Sequence, residues 1–213
     1  MAKHEPLNTR RSEERLTRLI QERLLPGADK QRIDERIWDL FGEDWCVMFT
    51  DLSGFSRRVA EFGIIHFLQT IHESERLLIP VIDAHDGFVL KVEGDSFLSI
   101  FRNADKCLQC ALAMQQTVQD YNLDRLEEEK VLLCIGLGYG RMLRIGDTDV
   151  FGAEVNAASR LGEDLASSGD VLVTGEFRQQ CDPQPGLAFE VLPQPPAGTA
   201  EAYRVYWNKG RVL

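Results

Sequence analysis

The chain of 213 residues carries a formal net charge of −10 and a hydrophobic content of 44%, which is ordinary for a globular protein. Such an acidic chain is a poor partner for DNA, RNA or an anionic membrane surface. No apolar run approaches the roughly 20 residues of a membrane-spanning helix, and the five cysteines are scattered through apolar contexts. We therefore expect a cytoplasmic protein with reduced thiols, without membrane insertion and without a nucleic-acid partner.

Two short amphipathic helices are predicted in residues 1–43. The first repeats apolar residues at helical spacing between positions 16 and 24 and ends at a Pro-Gly pair. The second repeats them between positions 33 and 41 and stops at a glycine. These helices either pack on the remainder of the chain, residues 44–213, or form a dimerisation or regulatory segment.

From Trp45 onward, apolar strands alternate with amphipathic helices. The order β-α-β-β-α-β predicts a ferredoxin-like fold of the α+β class: an antiparallel-centred sheet with helices on one face, followed by C-terminal additions. A Pro/Gly-rich stretch at 182–198 is interpreted as a surface loop. The predicted elements are a strand at 46–51, a long helical stretch at 57–85, strands at 87–92 and 96–101, a helix at 104–121, one long strand or two at 131–145, a helix at 152–166, and strands at 170–175 and 202–207.

Two aspartates stand at the ends of predicted strands. Asp51 ends the first strand, and Asp95 follows a glycine in the turn between the next two. In a ferredoxin-like sheet these strands are neighbours, so both carboxylates can enter one space, where they repel unless a cation lies between them. Two hard carboxylates suit Mg²⁺ together with substrate phosphates. Taken alone, each residue could equally be a turn aspartate or a helix cap.

The loop after Asp51 is a candidate phosphate site. Ser53, Gly54 and Phe55 lead into a predicted helix, whose first backbone N–H groups can bind an anion.

A second candidate set lies in the helix at 152–166. Asn156 and Arg160 are four residues apart and therefore share one helix face. Together they could hold a polyanionic group whose charge grows during a reaction. On spacing alone, a solvated helix face explains them as well.

Four motifs give the chain a resemblance to a known family. "FTDLSGFS" at 49–56, "KVEGDSFLSIF" at 91–101, "GLGYG" at 136–140 and "DVFGAEVNAASRL" at 149–161 occur in one order. Together they resemble the catalytic domain of class III nucleotidyl cyclases, the adenylate and guanylate cyclases. The resemblance runs from about residue 46 to residue 206.

The resemblance implies roles for individual residues. Asp51 and Asp95 match the aspartates that hold two divalent ions, Mg²⁺ or Mn²⁺, and the backbone carbonyl of Leu52 usually assists. Lys91 matches the lysine that contacts the adenine edge, and Asp149 matches its partner.

Asn156 and Arg160 match the residues that orient the ribose and stabilise the transition state. Guanylate cyclases typically carry Glu and Cys at the two base-reading positions, so the resemblance favours ATP as substrate.

The implied activity is conversion of ATP to cyclic AMP and pyrophosphate at sites built across a homodimer. The segment before "DVFG" is shorter than in many members, which leaves Arg141 or Arg144 to take the place of the arginine at the pyrophosphate end. A lysine often found before the last strand is absent. Three alternatives therefore stay open: a cyclase using GTP or a pyrimidine nucleotide, a nucleotide-binding module with little turnover, and a cyclic-dinucleotide synthase, whose usual Gly-Gly-Asp/Glu-Glu-Phe signature is missing.

The C-x-x-C at Cys107 and Cys110 falls inside a helical pattern. Buried small side chains explain this pair better than zinc or redox chemistry.

Overall fold

The computed structural model describes residues 7–207, apart from the side chains of residues 7–10 and 55–57. Within these residues one mixed sheet of eight strands runs through the molecule. The strands are β1 (Gly42–Leu52), β2 (Phe88–Glu93), β3 (Ser96–Phe101), β4 (Leu133–Ile145), β5 (Asp149–Phe151), β6 (Val171–Thr174), β7 (Leu187–Val191) and β8 (Ala202–Trp207).

The strand order confirms the predicted ferredoxin-like plan. Strands lie side by side as β2-β3-β1-β4-β6-β8-β7, and β5 pairs with β4 outside this path. The first four strands form the ferredoxin-like unit, in which β1 is antiparallel to both β3 and β4. The last three strands are the C-terminal additions.

The helices surround this sheet. No helix within residues 7–207 combines the length and the apolar character needed to cross a bilayer. The helices are α1 (Leu7–Leu24), α2 (Lys30–Phe41), α3 (Phe55–Phe62), α4 (Ile64–Ala84), α5 (Ala104–Asn122), α6 (Ala153–Arg160) and α7 (Gly175–Gln179), with a 3₁₀ turn at Glu127–Glu129 and a π-helical turn at Leu161–Leu165.

Two predicted elements were wrong. The long helical stretch at 57–85 is two helices, because Gly63 adopts φ 88° and closes α3 with its N–H on the carbonyl of Val59. The stretch at 182–198 is not all loop, because β7 lies within it and pairs with β8. Its prolines flank the strand, where they do not remove ladder hydrogen bonds.

One face of the sheet carries the main hydrophobic core. Strand β1 alternates, so Cys46, Met48 and Leu52 pack under α4, α5 and α7, while Val47 and Phe49 point to the opposite face. That opposite face was expected to be free of helices, but α6 covers part of it. The reason is topological: β4 and β6 are parallel, and a parallel connection needs a crossover element, which α6 supplies.

Helix α6 lies directly on β4 because the strand presents glycines to it. Cβ atoms added at Gly136, Gly138 and Gly140 would meet α6 itself, including the carbonyl oxygens of Ala158 and Glu154. These glycines alternate along β4 and therefore face one side. The "GLGYG" motif thus removes the side chains that would hold helix and strand apart.

The N-terminal helices form a hairpin beside the end of β4. Leu19 of α1 and Ile33, Ile37 and Phe41 of α2 are buried with Ile145 of β4. Ion pairs between Arg23 and Asp34, at 2.6 Å, and between Arg36 and Glu22, at 3.1 Å, join the two helices. Ile20, Leu24 and Leu40, which the helical pattern also placed among the apolar positions, are exposed.

Replacing Gly136 by alanine tests the contact between α6 and β4. The new Cβ would lie well inside the 3.0 Å that real Cβ atoms keep, against the backbone carbonyl of Ala158, so helix or strand must move. We expect a loss of about 3 kcal/mol or failure to fold. Urea denaturation measures the loss.

Gly152→Ala is the matched control, since its Cβ would meet its nearest atom at 3.2 Å and its backbone is extended. A loss under about 1 kcal/mol is expected there. Equal losses in both variants would contradict the close-contact explanation.

Candidate active site

Asp51 and Asp95 come together at the tips of neighbouring strands. Asp51 lies near the end of β1, and Asp95 follows Gly94, whose φ of 61° makes the tight turn between β2 and β3. The Ser96 hydroxyl donates to Asp51 Oδ1 at 3.1 Å, and the backbone N–H of Leu52 lies close enough to both carboxylates to lower the pKa of each. The structure therefore brings the two predicted acids into one half-buried space.

The electrostatics of this space favour a neutral or cation-bound state. Burial, followed by the charges of Asp95 and Glu163, raises the pKa of Asp51 to about 6, against the opposing hydrogen bonds from Ser96 and Leu52. Burial also raises the pKa of Asp95. The acids repel, and among the side chains that the structure describes neither has a basic hydrogen-bond partner, so a cation would relieve both costs.

The carboxylates of Asp51 and Asp95 fit a hard divalent cation that takes only some of its ligands from the protein. Among the residues that the structure describes, no group of three or more His, Cys, Asp or Glu side chains is placed to hold a metal ion. The site instead offers two carboxylates, and Mg²⁺ is commonly bound through one or two carboxylates plus water and substrate phosphates.

The loop predicted to bind phosphate is partly committed to other bonds. The Ser53 N–H donates to the carbonyl of Leu132 at 2.7 Å and is therefore already paired, so Ser53 as a nucleotide contact stays a prediction. Gly54, with φ 82°, is the N-cap of α3. Phe55 begins that helix, and its side chain lies outside the described residues.

Lys91 and Asp149 form an ion pair on the face of the sheet that carries α6. A bulge shifts the register of β2 between Val89 and Lys91, so that Lys91 lies opposite Leu98, which faces α6. The Lys91 ammonium contacts the Asp149 carboxylate and lies 3.8 Å from Glu93. The hydrogen bond from Lys91 to Asp149 raises the pKa of Lys91.

Asn156 and Arg160 are exposed on α6. The Arg160 side chain is 59% exposed and makes a distant ion pair with Asp164 at 3.9 Å. The π-helical turn begins at the next residue and lies against the backbone of Phe49 through Gly162. Such turns are frequent at functional sites.

The arginines considered for the pyrophosphate end have other partners. Arg144 stacks on the indole of Trp45 at 4.8 Å and donates to Asp147 at 2.7 Å. Arg141 lies over the ring of Trp38, 5.4 Å from its centroid.

Sequence reasoning missed two neighbours of Asp51. Ser96 follows Asp95 directly and points to the same face as Asp51, so strand alternation could have found it. Glu163 acts on Asp51 from the π-helical turn, and its sequence position gives no comparable signal.

The cysteine pair has the predicted structural character. Cys107 and Cys110 are free and buried in the core, and burial raises the pKa of both thiols, that of Cys110 to about 12. Thiolate chemistry is therefore disfavoured at this C-x-x-C.

Comparison with known proteins places this geometry in a family. A family model described as the adenylate and guanylate cyclase catalytic domain matches residues 42–192. "Putative adenylate cyclase 3" of Rhizobium meliloti (strain 1021) is 30% identical over 128 residues, 60% of this chain and 22% of that protein. The chain spans about a fifth of the length of the first curated relatives it matches.

Solved structures agree with the family match. An adenylate/guanylate cyclase/hydrolase from Silicibacter pomeroyi is 27% identical with a TM-score of 0.65, over 80% of this chain and 99% of that one. The adenylyl cyclase CyaB from P. aeruginosa, at 20% identity and a TM-score of 0.63 over 81% of this chain and 97% of that one, shares the fold. Because the family model covers more than half of the chain, the protein belongs to the adenylate and guanylate cyclase catalytic domain family.

Proposed function

We propose that the protein is an adenylate cyclase that converts ATP to cyclic AMP and pyrophosphate. The observation that carries this proposal is the pair of half-buried aspartates, Asp51 and Asp95, which lie at adjacent strand tips without a basic partner among the described side chains. In this reaction the ribose 3′-hydroxyl attacks the α-phosphate and pyrophosphate leaves, so positioning and charge neutralisation replace a protein nucleophile.

Asp51 and Asp95 would hold two divalent ions, Mg²⁺ or Mn²⁺, with help from the carbonyl of Leu52. When bound, such ions lower the pKa of the attacking hydroxyl and neutralise phosphate charge. The two carboxylates bring the negative charge that attracts the ions, and Ser96 holds Asp51 in place through its hydroxyl.

Lys91 and Asp149 are proposed to read the adenine edge. A lysine ammonium donates to a ring nitrogen, and a carboxylate accepts from the exocyclic amino group. Their ion pair places donor and acceptor side by side before the base arrives. This donor-acceptor pattern fits adenine better than guanine, whose corresponding edge carries a carbonyl oxygen and a protonated nitrogen.

Asn156 and Arg160 are proposed to act on the substrate of a second copy of the chain. Both are exposed, and Phe88, also exposed, packs edge-on against Trp45 on the same face of the sheet. Phe49 and Leu90 are incompletely covered beside it. A homodimer would cover this face and build each site from both subunits.

Two alternatives keep specific support. The commitments of Arg141 and Arg144 to tryptophan rings leave the pyrophosphate end without an assigned arginine, which favours a nucleotide-binding module with little turnover. A cyclase using GTP or a pyrimidine nucleotide is the other, because the family contains guanylate cyclases.

A turnover assay with each of the four nucleoside triphosphates and Mg²⁺ or Mn²⁺ tests the reaction. We expect ATP to give cyclic AMP, identified by mass spectrometry.

Asp51→Ala and Asp95→Ala should each lower kcat by about 10³-fold or more, since each removes charge that holds the ions. Asp124→Asn, at an exposed position, is the control and should keep full activity. Cyclic AMP production that survives Asp51→Ala would sink the proposal.

Mixing two inactive variants tests the composite site. Asp51→Ala and Arg160→Ala subunits, mixed equally and allowed to exchange, give mixed dimers with one intact site. About half of the dimers are mixed, so activity should recover to about a quarter of wild type. No recovery, with exchange demonstrated by differently tagged subunits, would contradict a site shared between subunits.

Stability against pH tests the acid pair without turnover. The pKa of Asp51 is raised from its ordinary 3.8 to about 6 in the folded protein. The free energy of unfolding therefore falls as pH rises from about 4 to about 6, and the full cost of ionising Asp51 is present above that range and absent below it. In EDTA at pH 8, Asp51→Asn should therefore be more stable than wild type by about 1 kcal/mol, after allowance for solvent screening, and the gain should vanish near pH 4.

Adding Mg²⁺ at pH 8 should stabilise the wild type and leave Asp51→Asn unchanged. Urea denaturation of both proteins measures the three conditions, which are EDTA at pH 8, EDTA near pH 4 and Mg²⁺ at pH 8. A metal effect of equal size in both proteins would place the ion elsewhere.

A further inference from the structure

A buried carboxyl lies on the same helix as the proposed transition-state residues. Glu154, two residues before Asn156, is 8% exposed although it belongs to a short amphipathic helix. Its Oε2 accepts a hydrogen bond from the Thr174 hydroxyl at 2.6 Å and another from the Tyr139 N–H at 3.1 Å. The carboxyl therefore ties α6 to β4 and to the end of β6.

The glycine face of β4 makes room for this side chain. A Cβ at Gly140 would lie 2.9 Å from Glu154 Cγ, and one at Gly138 would lie 3.1 Å from Glu154 Oε2. The Glu154 side chain thus fills the space in which side chains of β4 would otherwise stand. The contact is directional as well as close, because hydrogen bonds orient the carboxyl within it.

The charged environment of Glu154 is unusual for a buried acid. Glu176 of α7 lies close enough for its charge to act on Glu154, and it accepts a hydrogen bond from the Thr199 hydroxyl at 2.8 Å. From β4 and β6 the facing polar groups are the Tyr139 N–H and the Thr174 hydroxyl. Burial, then the charge of Glu176, raises the pKa of Glu154 to about 7, against the hydrogen bonds from Thr174 and Tyr139.

An acid buried without a basic partner costs stability, so an apolar residue would serve packing better. The hydrogen bonds of the Glu154 carboxyl fix the position of α6 along β4, because apolar contacts alone would let the helix shift along the strand. Arg160 lies six residues further along this helix, and Asn156 lies two. A small shift of the helix would move both side chains relative to the substrate.

We infer that Glu154 is a positioning residue of the cyclase, holding α6 through Thr174 and Tyr139 so that Asn156 and Arg160 reach the reacting nucleotide. This inference rests on the proposed function. Glu154 touches neither nucleotide nor metal in this scheme. Its effect should therefore fall on kcat, because Asn156 and Arg160 act in the transition state, and nucleotide KM should change little.

Two replacements of similar size separate hydrogen bonding from packing. Glu154→Gln keeps an acceptor for Thr174 and Tyr139, whereas Glu154→Met fills the space and accepts nothing. We expect Glu154→Met to lower kcat by about 10- to 100-fold with KM within about threefold, as for a misplacement near 1 Å. Glu154→Gln should stay within about threefold of wild type.

Thr174→Val and Thr174→Ser repeat the comparison at the residue that donates the hydrogen bond to Glu154. Valine removes the hydroxyl and should resemble Glu154→Met, while serine retains it and should restore activity. Glu190→Met, at an exposed position, is the control and should behave as wild type. All assays are run well below each variant's melting temperature, so that loss of folded protein cannot imitate loss of kcat.

The pH profile gives a readout that simple packing would not move. Glu154 gains charge as pH rises through about 7, and an ionised carboxyl strengthens both accepted bonds while repelling Glu176. Wild-type kcat should therefore change with pH around pH 7, and kcat of Glu154→Gln should not.

The outcomes distinguish the two proposals. A wild-type protein without turnover on any nucleoside triphosphate ends the proposed function and this inference with it. An active wild type in which Glu154→Met keeps full kcat overturns the positioning role alone. A Glu154→Gln variant as slow as Glu154→Met, with an unchanged pH profile, also overturns it, because packing would then explain both losses.

Discussion

Direct contact between the backbones of α6 and β4 is the constraint on which the remainder of the structure depends. The glycines of "GLGYG" face the helix, and any side chain there would strike it. Because α6 lies so close to β4, the π-helical turn that follows the helix at Leu161–Leu165 packs against the backbone of β1 at Phe49. One strand therefore sets the position of α6, of the turn that follows it and of Glu163, whose charge acts on Asp51.

The two charged pairs of the site differ in their electrostatic state. Asp51 and Asp95 have like charges and no basic partner within the described part of the chain, so protonation or an added cation would relieve their repulsion. Lys91 and Asp149 neutralise each other within one chain. The first pair is suited to recruiting an ion, and the second is suited to presenting a donor and an acceptor at little electrostatic cost.

The sequence predicted the central sheet well, because strand alternation and glycine-rich turns are local signals for β1 to β4. It also brought Asp51 to Asp95 correctly, since topology alone makes their strands neighbours. It failed where tertiary contacts decide. A glutamate on an amphipathic helix predicts exposure, and only the glycines of a distant strand make room to bury Glu154. The partner of the Ser53 N–H, the carbonyl of Leu132, lies much further away in sequence.

The bulge in β2 has a consequence for how this strand tolerates changes of length. With regular pairing, Lys91 would stand opposite Phe97 and enter the core beneath α4 and α5; the extra residue sends it to the other side of the sheet. Deleting one residue at the bulge would invert the two faces of the strand from that point, so that charged side chains enter the core and apolar side chains turn to the opposite face of the sheet. Insertions and deletions in this hairpin should therefore be tolerated in pairs of residues, whereas single-residue changes would move Lys91 away from Asp149 and disturb core packing together.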